Sequence, residues 1–279
     1  MNQVKTALIE RLAVCSWSLQ CASPGELAGK ILTTGIPRVQ LALDPLRESP
    51  EIRGRTAAEF QKNGITIVSG MFGCVGEDYS TLETIRQTGG IAPDATWPHN
   101  LSNIRATAVL AEALGLKLVT FHAGFLPHDP GDSAFHKLAE RLGLVADVFA
   151  AQNIELGLET GQESAAELAA ILRAVNRPNL GVNFDPANVI LYGRDNVPGA
   201  LQLLAPWIRQ VHIKDACRTK MPGTWGEEVV VGTGEVDWRA FFAALTAANY
   251  GGHFVIEREA GASRVADIRA AKGVIEQFT

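Results

Sequence analysis

Short runs of apolar residues alternate along the chain with longer stretches in which apolar positions recur at helical spacing. This alternation is typical of parallel strands joined by crossover helices. The apolar runs predict strands at residues 11–17, 38–44, 65–72, 117–123, 154–160, 180–186, 208–215 and 253–259.

A helix is predicted after each strand. The first begins with Ser23 as N-cap and Pro24 as the first helical residue, and it ends near Gly35. The others are predicted near residues 50–63, 102–114, 132–151, 163–175, 198–206, 238–248 and 263–277. Eight strand–helix pairs in 279 residues match the size of a (β/α)8 TIM barrel. A doubly wound sheet is the competing architecture, but its glycine-rich nucleotide-binding turn is missing from WSLQCASPG at residues 17–25, so we expect no nucleotide cofactor.

The composition favours a single domain over residues 1–279, because 47% of the residues are hydrophobic and no linker interrupts the chain. A net charge of -5 provides no cationic surface for nucleic acid or for an anionic membrane. The four cysteines form no CxxC pair and predict reduced thiols. The first residues carry charges through Arg11, so we expect neither a signal peptide nor a membrane span, and we predict a cytoplasmic protein.

Two connections are unusually long, residues 73–101 after the third strand and 216–236 after the seventh. Both follow the carboxyl end of a strand, where barrel enzymes build their sites from loops. We therefore predict that these two connections border the site.

Four adjacent strands carry strong metal ligands near their carboxyl ends: Glu159, Asp185, His212 and Glu257. In a barrel these ends meet at one mouth, so three carboxylates and one imidazole would converge there. Such an oxygen-rich set suits a divalent ion such as Mn²⁺, Mg²⁺, Co²⁺ or Zn²⁺.

Each of the four residues has an ordinary explanation on its own. An Asp before a Pro commonly ends a strand, a strand His is commonly hydrogen-bonded, and a single Glu is commonly solvated. Four ligand-type residues at equivalent positions are harder to explain in this way. Packing them together without a cation would cost several kcal/mol through repulsion and desolvation, so we predict a metal site.

Several motifs carry a resemblance to a known family. LGLETGQES (156–164), GVNFDPANVILYG (181–193), VHIKDA (211–216), VGTGEVDW (231–238) and FVIERE (254–259) resemble the xylose isomerase-like TIM-barrel family of sugar phosphate isomerases and epimerases. The resemblance spans essentially the whole chain and is strongest from 154 to 259. It implies one divalent metal bound by Glu159, Asp185, His212 and Glu257.

The resemblance also implies a reaction. In ketose 3-epimerases and hydroxypyruvate isomerases of this family the two glutamates exchange a proton, roles that would fall on Glu159 and Glu257. Such a reaction removes a carbon-bound proton beside a carbonyl and stabilises an enediolate. We therefore expect an isomerase or epimerase of a small sugar, keto-sugar or polyol. Members of the family often form dimers or tetramers, so a homodimer or homotetramer is the corresponding expectation.

Three other functions compete with this one. The family also contains inosose and dehydroshikimate dehydratases, which begin with the same proton abstraction but expel a leaving group. Its apurinic-site endonucleases use a histidine-rich three-zinc cluster, which fits poorly with Asn188, the missing Asp-x-His pair after His212 and the acidic charge. A non-catalytic sugar-binding barrel is the third.

Further residues are candidates for binding substrate. Many epimerases of the family carry a histidine where this chain has Asn188, which can hydrogen-bond a hydroxyl but cannot titrate near neutral pH. His122 is either a second acid or base or a structural histidine. Lys214 either reaches a substrate oxygen or pairs with a neighbouring carboxylate of Asp215 or Glu257. Two tryptophans, Trp17 and Trp97, are candidates for walling a sugar, although a loop Trp more often packs its own loop.

Overall fold

The computed structural model describes residues 8–221 and 224–278, which form a closed barrel of parallel strands. The barrel strands are β1 Leu12–Cys15, β2 Arg38–Ala42, β3 Thr66–Met71, β4 Leu118–Phe121, β5 Glu155–Glu159, β6 Leu180–Phe184, β7 Ile208–Ile213 and β10 Phe254–Ile256. Their order around the barrel is β1-β10-β7-β6-β5-β4-β3-β2. All lie within the predicted strand positions, so the predicted (β/α)8 TIM barrel is confirmed.

Helices surround the barrel and connect its strands. The α-helices are Pro24–Thr34, Asp44–Glu48, Pro50–Asn63, Leu82–Thr88, Trp97–Ala113, Ser133–Ala150, Ala165–Val175, Pro186–Tyr192, Val197–Leu204, Trp238–Ala247 and Arg264–Ile275, and short 3-10 turns lie at Trp17–Leu19, Ala205–Trp207 and Glu276–Phe278. None of the helices described in 8–221 and 224–278 combines the length and the apolar content needed to cross a bilayer.

Local sequence signals set the ends of the first helix. The Ser23 side chain accepts a hydrogen bond from the backbone N–H of Glu26, and Pro24 occupies the first turn, where no backbone N–H donor is required. Gly35 ends the helix at φ 71°, in the left-handed region that favours glycine. Both predicted ends of this helix are therefore confirmed.

The barrel interior is polar beneath its mouth, whereas the layer between strands and helices is apolar. Phe72 and Phe121 stack with ring centroids 4.8 Å apart in the apolar layer. Fully buried polar side chains hydrogen-bond one another across the ring: the Gln40 amide donates to Thr120, and the Ser69 hydroxyl donates to Gln210. These bonds satisfy polar groups that would be costly to bury alone, and they support the site from below.

The structure differs from the prediction after β6. Pro186 was expected to end the strand and nothing more, with a helix only at 198–206, but it begins an additional helix, Pro186–Tyr192. Proline is accepted at this first helical position because its missing N–H would have no intrahelical partner there. The next helix, Val197–Leu204, then occupies the predicted stretch.

Both long connections contain regular structure that was not predicted. The first contains the helix Leu82–Thr88, and the helix expected at 102–114 already begins at Trp97, with Pro98 in its first turn. The second contains an antiparallel pair outside the barrel, β8 Asp215–Cys217 and β9 Glu227–Val229. Residues 222–223 of this connection lie outside the described part of the chain.

Candidate metal centre and active site

The four predicted metal ligands converge at the carboxyl end of the barrel. Glu159 ends β5, Asp185 follows β6, His212 lies near the end of β7, and Glu257 follows β10. Each is buried, and one ligand atom from each lies within 4.8 Å of the others. The structure thus brings together residues that are up to 98 positions apart in sequence, because parallel strands end at one mouth.

Asp185 has two roles in this cluster. Its Oδ1 caps the helix Pro186–Tyr192 by accepting the backbone N–H groups of Ala187 at 2.7 Å and Asn188 at 3.1 Å. Its Oδ2 has no hydrogen-bond partner among the described residues, although it is buried. The cap therefore holds the carboxylate so that one oxygen faces the centre of the cluster.

His212 presents a second buried atom without a partner. Its Nδ1 accepts or donates no hydrogen bond among the described residues, yet it lies 3.3 Å from Glu159 Oε1, 3.5 Å from Glu257 Oε2 and 3.7 Å from Asp185 Oδ2. Unpaired buried polar atoms are rare and costly. A divalent cation would satisfy both orphaned atoms and offset the three carboxylate charges, so this donor set fits a metal ion.

A hydrogen-bond chain below the cluster orients the imidazole. The Gln40 amide donates through Nε2 to the Thr120 hydroxyl at 2.8 Å, which leaves its Oε1 to face His212 Nε2 at 2.8 Å. The Asn183 amide nitrogen lies 3.0 Å from the same Nε2, so Nε2 faces one acceptor and one donor, and Nδ1 faces the carboxylates. This is the arrangement by which metal-binding histidines are usually held.

The electrostatics of the cluster are strongly coupled. Burial by itself would lower the pKa of His212, but the charges of Glu159 and Glu257 outweigh burial and hold this pKa well above its ordinary value. Burial would raise the pKa of Glu257, but Lys214 and His212 hold it well below its usual range. For Asp185 burial prevails and the pKa is raised. The cluster therefore favours positive charge at its centre.

Lys214 pairs with carboxylates, as one of its two predicted roles requires. Its Nζ lies 2.8 Å from Glu257 Oε2 and 2.7 Å from Glu259 Oε2, and the side chain is buried beside the cavity. Asp215 has a different role: its carboxylate accepts backbone N–H groups of Gly232, Gly234 and Val236, so it shapes the second long connection.

A cavity of about 720 Å³ opens above the four ligands, and Trp17, His122, Asn188 and Lys214 line it. The Trp17 indole donates to Glu257 Oε1 at 2.7 Å. The Asn188 amide donates to Glu159 Oε1 at 3.2 Å and to the carbonyl of Thr160 at 2.9 Å. Trp17 and Asn188 thus hold the two glutamates while they face the cavity.

His122 stands beside Glu159, with Nε2 3.8 Å from Glu159 Oε2. Burial would lower the pKa of His122, but Glu159 and other nearby carboxylates outweigh it, so the pKa is raised. His122 is therefore a titratable group at the wall of the cavity, beside Glu159.

Trp97 is not brought to this cavity. It begins the helix Trp97–Ala113, and its ring lies 4.9 Å below the guanidinium of Arg141, which also donates to the carbonyls of Ile91 and Ala92. The tryptophan packs its own connection against the helix Ser133–Ala150. Trp97 therefore does not line the cavity above the four ligands.

Besides Phe72, whose ring is buried in the apolar layer, three aromatic residues of the cavity lining were not among the predicted site residues: Tyr79, Tyr192 and Trp225. Tyr79 and Trp225 lie in the two long connections, which were expected to border the site, but no pattern indicated which of their side chains point inward. Tyr192 ends the helix that the sequence did not predict.

Comparisons with known proteins place the fold in a family. Residues 31–277 match the profile of the xylose isomerase-like TIM barrel. A xylose isomerase domain protein from Planctomyces limnophilus is 30% identical, with a TM-score of 0.84 over 90% of this chain and 91% of that chain. Searching curated protein sequences gave no match.

More distant solved structures share the fold. An L-ribulose 3-epimerase is 19% identical, with a TM-score of 0.73 over 96% of this chain and 94% of that chain. A probable 3-DHS dehydratase from Bacillus anthracis is 17% identical, with a TM-score of 0.72 over 95% of this chain and 98% of that chain. The family profile covers most of the chain and agrees with the closed barrel, so this protein belongs to the xylose isomerase-like TIM-barrel family.

Proposed function

We propose that this protein is an isomerase or epimerase of a small sugar or keto-sugar and that it depends on one divalent ion. The observation that carries the proposal is the pair of buried orphan atoms, Asp185 Oδ2 and His212 Nδ1, between two glutamates at the bottom of a cavity. Glu159, Asp185, His212 and Glu257 would hold the ion. Bound there, Mn²⁺, Mg²⁺, Co²⁺ or Zn²⁺ would supply Lewis-acid stabilisation of the charge that develops on the substrate oxygens.

Glu159 and Glu257 are the proposed proton-exchanging pair. They come from β5 and from the end of β10, which are separated by β6 and β7 around the barrel, so they approach a substrate from different sides. One would remove the proton from the carbon beside the carbonyl, and the other would return a proton on the opposite face. Their other partners, Trp17 and Asn188, hold the carboxylates in place during this exchange.

His122 and Lys214 are the proposed contacts to substrate oxygens. Both line the cavity next to a glutamate of the pair. A cationic or proton-donating group at this place stabilises an enediolate oxygen and moves protons between neighbouring oxygens.

Solvent exchange at carbon tests this function. Protein loaded with Mn²⁺ is incubated with a panel of ketoses in deuterated water, and proton NMR follows the carbon beside the carbonyl. We expect deuterium incorporation together with a second isomer or epimer. The Glu257→Gln variant serves as control, because it keeps the size of the side chain but removes its basicity.

A dehydratase is the second candidate, and the position of Lys214 favours it. Its ammonium lies beside Glu257, where it can protonate a hydroxyl that leaves after the carbon-bound proton has been removed. The same incubation distinguishes the two reactions. Loss of water with an ultraviolet-absorbing enone would support the dehydratase and contradict the isomerase.

A further inference from the structure

We propose that the substrate is an uncharged sugar that carries a second ring, and that Tyr192 and Trp225 bind this second ring. This inference rests on the proposed function and narrows its substrate class to neutral glycosides or disaccharides. Three features of the cavity carry the proposal: its charge, its size and the aromatic pair at its outer wall.

The charge of the cavity disfavours anionic substrates. Besides two of the metal ligands, four carboxylates line it: Asp44, Glu77, Glu228 and Glu259. Lys214 is the single lysine or arginine among the described residues of the lining, and it is already paired with two carboxylates. Away from the proposed metal ion and His122, a phosphate or carboxylate group would lose its hydration here without gaining an unpaired lysine or arginine of the lining.

Two arginines beside this lining are bonded to carboxylates: Arg47 to Asp44 and Glu48, and Arg258 to Glu228 and Asp267. The positive charges of Arg47 and Arg258 are thus already paired with carboxylates of the protein. An adjoining cavity that shares Tyr192 is lined by Arg86, Arg194 and Arg218, of which Arg194 pairs with Glu167 and Arg218 with Glu235. Carboxylate oxygens can still accept hydrogen bonds from hydroxyl groups, so the same wall that rejects an anion suits a neutral polyol.

The cavity is also larger than one sugar ring requires. Its volume of about 720 Å³ lies in the upper part of the range, about 300–1,000 Å³, that holds drug-sized ligands, which exceed a single hexose. With the reacting sugar at the four metal ligands, the space toward the second long connection remains for another ring.

Tyr192 and Trp225 form the wall of this remaining space. Their ring centroids are 5.3 Å apart with planes tilted by 43°, and both rings are partly buried. The aliphatic C–H face of a sugar packs well on such rings, while its hydroxyl groups reach the polar rim. Glu228 also lines the cavity, and its carboxylate is held by Arg258 at 2.7 Å and by the backbone N–H of Glu259 at 3.0 Å.

The position of Trp225 is set by its neighbour Gly226. The Gly226 N–H donates to the carbonyl of Leu191 at 3.0 Å, which joins the second long connection to the helix that ends with Tyr192. A Cβ at residue 226 would lie 2.4 Å from the carbonyl oxygen of Cys217, so only glycine permits this approach. These backbone contacts therefore fix the position of Trp225 beside Tyr192.

Binding of three matched ketoses tests the inference. D-Fructose, D-fructose 6-phosphate and isomaltulose share one ketohexose and differ in a hydroxyl, a phosphate or a glucosyl group at carbon 6. We measure their Kd values by titration calorimetry with protein loaded with Mn²⁺. Isomaltulose is expected to bind about tenfold more tightly than fructose, the gain of one well-packed aromatic contact, and the phosphate ester more weakly than fructose.

Variants assign any preference to the aromatic pair. Trp225→Ala is expected to weaken isomaltulose binding about tenfold and to leave fructose binding unchanged, whereas Trp225→Phe retains most of the preference because it keeps an aromatic face. Tyr192→Ala should act like Trp225→Ala. Equal binding of fructose and isomaltulose, or tighter binding of the phosphate ester, would overturn the inference.

Failure of the proposed function would give a different result. Deuterium exchange at carbon is scored in the same samples, separately from binding. Exchange without a preference for isomaltulose refutes the second-ring site and leaves the isomerase intact. Preferential binding of isomaltulose without exchange from any of the three sugars supports the second-ring site and counts against the isomerase.

Discussion

Nε2 of His212 lies 2.8 Å from Oε1 of Gln40, a residue of β2 on the far side of the barrel interior. Because the Gln40 amide nitrogen is committed to Thr120, its Oε1 faces the imidazole and holds the ring so that Nδ1 points to the carboxylates. Gln40 is thus a positioning residue of the proposed metal centre. It contacts the imidazole of His212 on the side away from the carboxylates and would not itself bind the ion.

Replacing Gln40 by Leu is expected to weaken Mn²⁺ binding by about 10–100-fold, the range typical for the outer partner of a metal-binding histidine. Isothermal titration calorimetry of the metal-free protein measures the change. Ser69→Ala is the matched control, since Ser69 belongs to the same polar layer but bonds Gln210 instead of His212. Equal metal affinity in Gln40→Leu and Ser69→Ala would contradict a positioning role.

A divalent ion should stabilise the fold through the four ligands. Saturating Mn²⁺ is expected to raise Tm by several degrees in the unmodified protein, and excess EDTA should reverse the shift, because only the folded chain assembles the site. His212→Gln should lose the response. His253→Gln is the control that removes a histidine at the opposite end of the barrel, and a lost response in that variant would mean that the ion acts elsewhere.

Glu257→Gln should lower turnover by about two to four orders of magnitude, the usual contribution of a general acid or base. Deuterium exchange at the carbon beside the carbonyl is the measurement. Glu259→Gln provides the comparison, because Glu259 also bonds Lys214 but does not belong to the ligand cluster. If both variants lose activity equally, the loss arises from Lys214 and Glu257 is not the proton-exchanging group.

His253 should make unfolding depend on pH. Burial and the nearby charges of Arg11 and Arg38 lower the pKa of His253 in the folded protein. The unfolded chain therefore binds a proton at His253 more readily than the folded chain does, so the stability from this group is present above pH 6.5 and is lost as the pH falls below it.

Urea unfolding at pH 5.5 and 7.5 measures this effect. The free energy of unfolding is expected to fall more between these values in the unmodified protein than in His253→Gln, since glutamine does not titrate. An identical fall in both proteins would show that His253 contributes nothing to the pH dependence.

The sequence predicted the convergence of the four candidate ligands better than the residues that support them, and the reason is geometric. Glu159, Asp185 and Glu257 each follow an apolar run, and the carboxyl ends of parallel strands must meet, so a count of strands was enough to place them together. Gln40 interrupts an apolar run with a polar residue, but its partner His212 lies 172 positions away and only the closed ring shows that they meet.

The outer wall could not be predicted for a different reason. Tyr192 belongs to a helix that begins at Pro186, and proline is compatible both with the end of a strand and with the start of a helix. Trp97 had two predicted places, against a sugar or packed on its own connection, and the structure shows the second. Its preference for the Arg141 guanidinium depends on how that connection packs, which no local pattern records.

The helix Pro186–Tyr192 connects the two halves of the pocket, because Asp185 caps its first turn and Tyr192 is its last residue. If the proposed function holds, these seven residues fix the distance between the metal centre at Asp185 and the proposed second-ring site at Tyr192. Deleting one residue would turn Tyr192 by about 100° around the helix axis and move the outer wall away from Trp225. A substitution of Tyr192, by contrast, would change the outer wall of the cavity without moving Asp185, which lies at the other end of the helix.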